Sequence, residues 1–376
     1  VNFPEDTECD ILIVGGGGAG GQDGGGGGGG GGIGYTSKPI VLSGNYTIKV
    51  GKGGVASDNT DNFAENGSSD GNNSLITNGT NLLEVIGGGS GAFKWVGSDI
   101  GNNGGSSGGA KYQSSTGNGS LTTSIKNGIF SSTNIAGGVG NTGTTGASGG
   151  GGGAGVTLSS ATAKGNDGIT ITFVNQIYGQ TYYWGGGGGG AYNSTYTGSA
   201  PEGGLGGGGG AGNTGNTLIL GNIGGLGLNN GESGISISGG GQKGGNGGLH
   251  TGGGGGGGAS AETGVLGGNG GSGIVIIRYK LTSGSIFTGK TPGILKYLPT
   301  TTNPPSNTGS WAIQEADTVT FKSDFVYRLP AQSTSTPITP VNGNNYTTDF
   351  LFDPDTKFTP KENWGKNYTY NICASV

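Results

Sequence analysis

Six runs of consecutive glycine limit what this chain can fold into: Gly15–Gly18, Gly24–Gly32, Gly149–Gly153, Gly185–Gly190, Gly206–Gly210 and Gly252–Gly258. Such a run has no side chain to bury. Ordering it costs roughly 0.5–1 kcal/mol per residue more than ordering alanine in regular structure. Two physical outcomes remain. One is flexible linker. The other is polyglycine II, an extended left-handed threefold helix with polyproline II geometry, no internal hydrogen bonds and a rise of about 3.1 Å per residue. Without side chains, such helices can pack backbone against backbone, each N–H and C=O finding a partner on a neighbour. A linker needs one flexible run, not six separated by short polar turns. A packed bundle is therefore expected. It is not collagen, because the strict Gly-X-Y period and the abundant Pro are both missing.

Composition narrows the reading further. Glycine supplies 98 of 376 residues, and only 30% are apolar and 10% charged. Typical domains have about 45–50% apolar and about 25% charged residues. Disordered chains are poor in apolar residues but rich in charge, whereas this chain is poor in both. The net charge is −5, the pI is about 4.9, and no Lys/Arg cluster occurs. That leaves no electrostatic footprint for nucleic acid or an anionic membrane. The longest apolar runs, Ile11–Val14 and Ile274–Ile277, are far too short to span a bilayer. There is no Met, even at position 1, so the start is expected to have been removed, leaving no leader to read.

The chain changes texture near residue 280. Glycine runs precede that point, and most prolines follow it, from Pro292 to Pro360. The expected organisation is a short lead over 1–8, a glycine-rich domain over 9–280, and a Pro/Thr-rich arm or small β-domain over 281–376. Between the runs lie strand-like segments: Asp10–Val14, Leu82–Ile86, Ile169–Val174 and Ile274–Tyr279. Pro39–Leu42 and Tyr46–Val50, flanking Ser43-Gly44-Asn45, read as a hairpin. No twelve-residue stretch carries a helical period, and glycine and β-branched residues both disfavour helix. The fold class is mainly β with a polyglycine II bundle and no helical domain. Asp10–Val14 and Ile274–Arg278 are both apolar and both border glycine, so they are expected to pair, with Ile169–Val174 as a third member of their core.

Three stretches stand in a telling order. Ile11-Leu-Ile-Val-Gly-Gly-Gly-Gly-Ala-Gly-Gly21 opens, Gly44-Asn-Tyr-Thr-Ile-Lys-Val-Gly-Lys-Gly-Gly54 follows, and Gly270-Gly-Ser-Gly-Ile-Val-Ile-Ile-Arg-Tyr279 closes. Over roughly residues 9–280 this resembles the glycine-rich domain of phage tail-fibre adhesins and of structural proteins of large DNA viruses. The resemblance implies layered polyglycine II helices, loops projecting from their ends, and opening and closing strands that lie close together. It also implies a structural protein of a virion exterior, capsid-associated or part of a fibre, with other virion proteins as partners and no enzymatic activity. The alternatives are an adhesin at a fibre tip that binds a host-surface glycan or receptor, and a subunit of an extracellular filament or matrix. The expected location is the virion surface or the extracellular space.

Candidate chemistry is sparse. Ile11–Gly20 satisfies the dinucleotide fingerprint through Gly15, Gly17 and Gly20, but more polyglycine follows where that mechanism needs a helix. Gly284–Thr291 matches the P-loop string, but Pro292-Gly293 follow at once. No cofactor is expected from either. His250 is the only histidine; without an orienting partner or nucleophile it reads as a turn residue rather than a base. Asp58, Asp61, Glu65 and Asp70 would suit Ca²⁺ by oxygen chemistry, but their spacing reads as a solvated loop, and no metal site is expected.

The aromatic residues Trp95, Tyr182, Tyr183, Trp184, Tyr192 and Tyr196 lie near glycine runs. They either seal the ends of a thin glycine core or form a receptor- or carbohydrate-contacting surface. Asn45, Asn66, Asn72, Asn78, Asn118, Asn193, Asn345 and Asn367 each begin Asn-x-Ser/Thr and are candidate glycosylation sites. Cys9 and Cys373 are the only thiols. They either form a bridge or stay unpaired near the two ends. A bridge across so long a loop would contribute roughly 4–5 kcal/mol.

Overall fold

A computed structural model describes residues 1–57, 68–93, 100–111, 120–155, 161–192, 201–213, 224–237, 241–260 and 265–280. Beyond them it describes the strand segments 294–298, 310–314, 340–341, 345–346 and 369–373. The chain divides into two units. One comprises Val1–Tyr279 with Asn371–Val376, the other Lys280–Tyr370.

The first unit is organised around β1 (Asn2–Val14) and β14 (Ile274–Lys280). They pair antiparallel from Cys9↔Tyr279 to Val14↔Ile274, so the opening and closing strands are neighbours, as their sequences require. On its other edge β1 pairs first with β3 (Ile40–Asn45) and then with β2 (Ile33–Tyr35), which in turn pairs with β8 (Asn134–Ala136). β19 (Thr369–Cys373) flanks β14 and completes the six-stranded sheet.

Successive strand side chains point to opposite faces, and here both faces are covered. Ile11, Ile13, Val275 and Ile277 pack with Phe3, Leu42, Tyr46, Ile76, Leu83, Val85 and Phe130 on one side. Leu12, Val14, Ile274 and Ile276 pack with Ile33, Ile171, Phe173, Val174 and Trp184 on the other. Burial on both faces accounts for unbroken apolar runs where a half-buried strand would alternate. The first cluster is closed by a four-stranded sheet ordered β4-β5-β6-β7, comprising Thr47–Lys49, Ser74–Thr77, Leu82–Val85 and Ile125–Lys126.

Two local readings need correction. Ile169–Val174 joins the core of the opening and closing strands as expected, but not as a single strand. Only β9 (Ile169–Thr170) is extended, and it pairs with β10 (Tyr183–Trp184). Thr172–Tyr178 forms α1, closed by Gly179 at φ 69 with its N–H on the Asn175 carbonyl. Ile171, Phe173 and Val174 still reach the second cluster, and that packing outweighs their strand propensity. Arg278 clamps the helix to the sheet. Its guanidinium meets Asp10 at 2.6 Å, Gln176 at 2.9 Å, and the Phe173 ring at 5.1 Å from the centroid. Nor do Pro39–Leu42 and Tyr46–Val50 form a hairpin. β3 lies on β1 and β4 on β5, because buried Tyr46 turns the chain from one sheet to the next.

A smaller sheet joins β11 (Ile235–Ile237), β12 (Gly241–Lys243) and β13 (Ala259–Ser260). In the second unit, β15 (Ile294–Leu298) pairs with β16 (Ser310–Gln314), and β17 (Pro340–Val341) with β18 (Asn345–Tyr346).

Candidate functional site

The glycine runs form a lattice. Along the first run, Gly15, Gly18 and Gly21 donate to the carbonyls of Gly32, Gly29 and Gly26. Gly16 and Ala19 donate to Asn72 and Ser69, and Gly17 and Gly20 to Gly271 and Gly268. Every third residue therefore returns to the same neighbour, as a threefold polyglycine II helix requires. The carbonyls point to three further segments. Gly16 and Ala19 accept from Gly88 and Gly91, Gly18 and Gly21 from Gly255 and Gly258, and Gly17 from Gly54. One helix thus has six neighbours, which is hexagonal packing.

The run over 25–32 repeats the arrangement. Gly26, Gly29 and Gly32 donate to Ala92, Gly89 and Ile86; Gly27 and Gly30 to Gly149 and Gly152; Gly28 and Gly31 to Gly255 and Gly252. Its carbonyls accept from the segments around Gly18, Gly109 and Gly188. Donors and acceptors are thereby paired without side chains, which makes a buried backbone affordable. The spacing leaves no room for a Cβ. At Gly16 a Cβ would stand 1.9 Å from the Lys52 carbonyl oxygen, at Gly28 2.2 Å from that of Gly18, and at Gly188 2.0 Å from that of Gly255.

At the rim, polar side chains take the place of a missing neighbour. Asp70 Oδ1 accepts the Ser90 N–H at 2.7 Å, Asp167 Oδ1 that of Leu205 at 2.9 Å, and Asn73 Oδ1 that of Gly87 at 3.0 Å. Ser74 Oγ accepts from Gly51 N–H and donates to the Val14 carbonyl where the strand turns into lattice. Asn141 and Asn166 bond each other's carboxamides at 2.9 and 3.3 Å. The abundance of Asn and Ser thus has a structural use that composition alone did not reveal.

The lattice has two unlike ends. Gly15, Gly32 and Gly273 lie beside the main sheet, since their runs leave or meet its strands there, and Ile86, which follows β6, accepts the Gly32 N–H at the same end. Gly21, Gly26, Ala92 and Gly258 lie at the other end, joined by mutual hydrogen bonds. Described residues at or near the edges of 58–67, 94–99, 193–200 and 261–264 belong to that far end. Ser69 bonds Val55 and Ala19, Ala92 bonds Gly109 and Gly26, Ala191 bonds Gly25 and Ser148, and Val265 bonds Asp23.

The residues singled out from sequence are dispersed. Trp184 is fully buried in the second cluster, with Tyr182 packed against it. Tyr183 is half-buried. Tyr192 is buried with Ala147, Ala163 and Ala211 at the far end. Trp184 and Tyr192 therefore seal the fold, while Trp95 and Tyr196 lie outside the described residues. Asn45, Asn72 and Asn78 are exposed. Asn66, Asn118, Asn193 and Asn367 lie outside the described residues, as do Asp58, Asp61, Glu65 and the segment Gly284–Thr291.

Gly15, Gly17 and Gly20 have their N–H groups committed to lattice carbonyls, so they offer no cradle for a phosphate. His250 sits at φ 61 with its Nδ1 3.2 Å from Ser272 Oγ, which also accepts the His250 backbone N–H. Sequence reasoning missed this contact; it fastens a left-handed turn. Among the described residues no cluster of His, Cys, Asp or Glu could hold a metal ion.

Cys9 carries a free thiol, fully buried in the first cluster. Cys373 ends β19, and β14 stands between β19 and β1. Burial, and secondarily the neighbouring Asp10 carboxylate, push the Cys9 thiol from 9.0 up to about 12. The folded state therefore holds the proton more tightly than the unfolded chain. This contribution is fully present below pH 9.0 and is lost as pH rises toward about 12. At neutral pH, Cys9 is expected to resist iodoacetamide until the protein is denatured. Alkylation of native protein at the rate of a free thiol, followed by peptide mass spectrometry, would show the burial wrong.

No curated protein matches the chain in sequence. A family model described as a glycine-rich domain matches residues 1–280, the whole span from the first strand to the close of β14, and the chain belongs to that glycine-rich domain family.

Proposed function

We propose that this chain is a non-enzymatic structural protein of a virion exterior, in which the lattice serves as a stiff mount. The observation that carries this reading is the lattice itself. Its interior is saturated with backbone hydrogen bonds, and its rim is closed by Asp, Asn and Ser side chains. Such a body resists bending without a large apolar core. The resemblance of its opening, middle and closing motifs to virus and phage structural proteins supports placing it on a particle.

The test is immunogold labelling of native particles with an antibody to the folded first unit. Label on the exterior of intact particles is expected; label confined to the particle interior or to host structures would refute the reading. A second reading is favoured by the gathering of segment flanks at the far end. Several of those segments contain aromatics, Trp95 and Tyr196 among them. On that reading the far end presents an adhesive surface to a host glycan or receptor. An adhesin binds host cells as an isolated chain, whereas a scaffold binds its own particle.

A further inference from the structure

We propose that Asn78 is a site of spontaneous deamidation, set apart from the Asn-Gly pairs of the lattice by the turn it occupies. Asn78 and Gly79 form the turn between β5 and β6 and are exposed. The Asn78 carboxamide folds over its own turn. Its Oδ1 accepts the Thr80 N–H at 3.2 Å and the Asn81 N–H at 2.7 Å. Gly79 has φ +90 and open space where a Cβ would stand, and its N–H is held by Thr77 Oγ1 at 3.0 Å.

The reaction needs only water. Gly79 nitrogen loses its proton to solvent base and attacks Asn78 Cγ, forming a carbon–nitrogen bond. The carboxamide oxygen carries the negative charge of the tetrahedral intermediate, and the Thr80 and Asn81 N–H groups are placed to stabilise it. Collapse breaks the bond to the amide nitrogen, which leaves as ammonia after taking up a proton. One water then opens the five-membered succinimide at either carbonyl, leaving aspartate or isoaspartate at position 78.

The other described Asn-Gly pairs are held against this chemistry. Gly104, Gly231, Gly247 and Gly270 donate their N–H groups to the carbonyls of Ser120, Gly225, Asn269 and Gly54 at 3.2, 3.0, 2.8 and 2.9 Å. Those N–H groups are held by main-chain carbonyls until the backbone opens locally, whereas the Gly79 N–H is held by a side-chain hydroxyl, which can turn away without moving the backbone. Beside Gly128, the Asn127 carboxamide is pinned to the Leu82 N–H of β6 at 2.7 Å, away from its own main chain. Conversion at Asn78 would replace an amide that reaches the Tyr46 hydroxyl at 3.4 Å with a carboxylate. Isoaspartate would also lengthen the main chain and break the Asn78 N–H to Asn81 carbonyl contact that closes the turn.

The experiment uses the full chain from bacterial expression, incubated in mildly alkaline buffer with and without denaturant. Peptide mapping reads the mass shift that exchanges NH₂ for OH and separates the isoaspartyl peptides. In the native state Asn78 is expected to convert roughly tenfold faster or more than Asn103, Asn230, Asn246 and Asn269, whose nitrogens react only through local opening. In denaturant that difference should collapse. Lattice pairs that convert as fast as Asn78 in the native protein would overturn the proposal. So would an Asn78 that stays intact natively and converts only in denaturant.

Discussion

A Gly28→Ala substitution is expected to destabilise the first unit by about 3–5 kcal/mol, among the largest effects a single methyl group produces. The added Cβ would stand 2.2 Å from the Gly18 carbonyl oxygen and 2.7 Å from that of Ala19. Ordinary carbon contacts lie near 3.5–4.0 Å, so one helix must move by about 1 Å or more. That movement cannot stay local. Gly28 donates to Gly255 and accepts from Gly188, both at 2.8 Å, and Gly18 donates to the adjacent Gly29 at 2.8 Å. Separating the two runs therefore strains bonds to several segments at once, and each buried group left unpaired costs about 1–3 kcal/mol.

The measurement is a denaturant titration of purified protein together with hydrogen exchange at residues 27–31. Wild-type amides there are expected to exchange only through global unfolding, and those of the variant far faster. Gly44→Ala provides the control. Gly44 has φ +83 but nothing within 4 Å of its Cβ position, so only the dihedral cost of about 1–2 kcal/mol applies. Equal losses at both sites would mean that the lattice spacing does not set the requirement for glycine.

Sequence made some of this fold legible and concealed the rest. Ile11–Val14 and Ile274–Ile277 were readable because consecutive apolar residues bordered by glycine demand cover on both faces. The repetition of glycine runs indicated a packed bundle, since one linker would not need so many. Which run lies beside which was not readable. Gly28 and Gly254 look alike in sequence, and no side chain specifies a register or a neighbour. The rim was hidden for a related reason. Asp70, Asn73 and Asp167 resemble any solvated turn residues until the N–H each one satisfies is known. α1 was misread because Thr172 and Val174 suit a strand, while the contacts that favour a helix come from Arg278 and the second cluster, far along the chain. The Asn78 turn was visible only as a sequon, because its carboxamide geometry depends on how β5 and β6 meet.

A Trp184→Ala substitution is expected to cost about 3–5 kcal/mol, as removal of a fully buried tryptophan does. Trp184 was one of the aromatics that could have formed a recognition surface, and the two roles predict opposite results. A contact residue tolerates truncation without loss of stability and loses binding. A sealing residue loses stability first. Trp184 is 0% exposed and packs among Leu12, Val14, Ile33, Phe173, Val174 and Ile276. It also stands where lattice meets sheet, because the next residue, Gly185, donates its N–H to the Thr251 carbonyl at 2.8 Å. Among the described residues its buried indole Nε1 has no hydrogen-bond partner, so the polar end adds no stability. Trp184→Phe removes that nitrogen, keeps most of the ring, and is expected to cost well under the alanine variant, about 1–2 kcal/mol. Thermal and denaturant unfolding of the two variants separate the readings. If both unfold like wild type, Trp184 does not join the glycine lattice to the sheet, and the second cluster is not part of what holds the unit together.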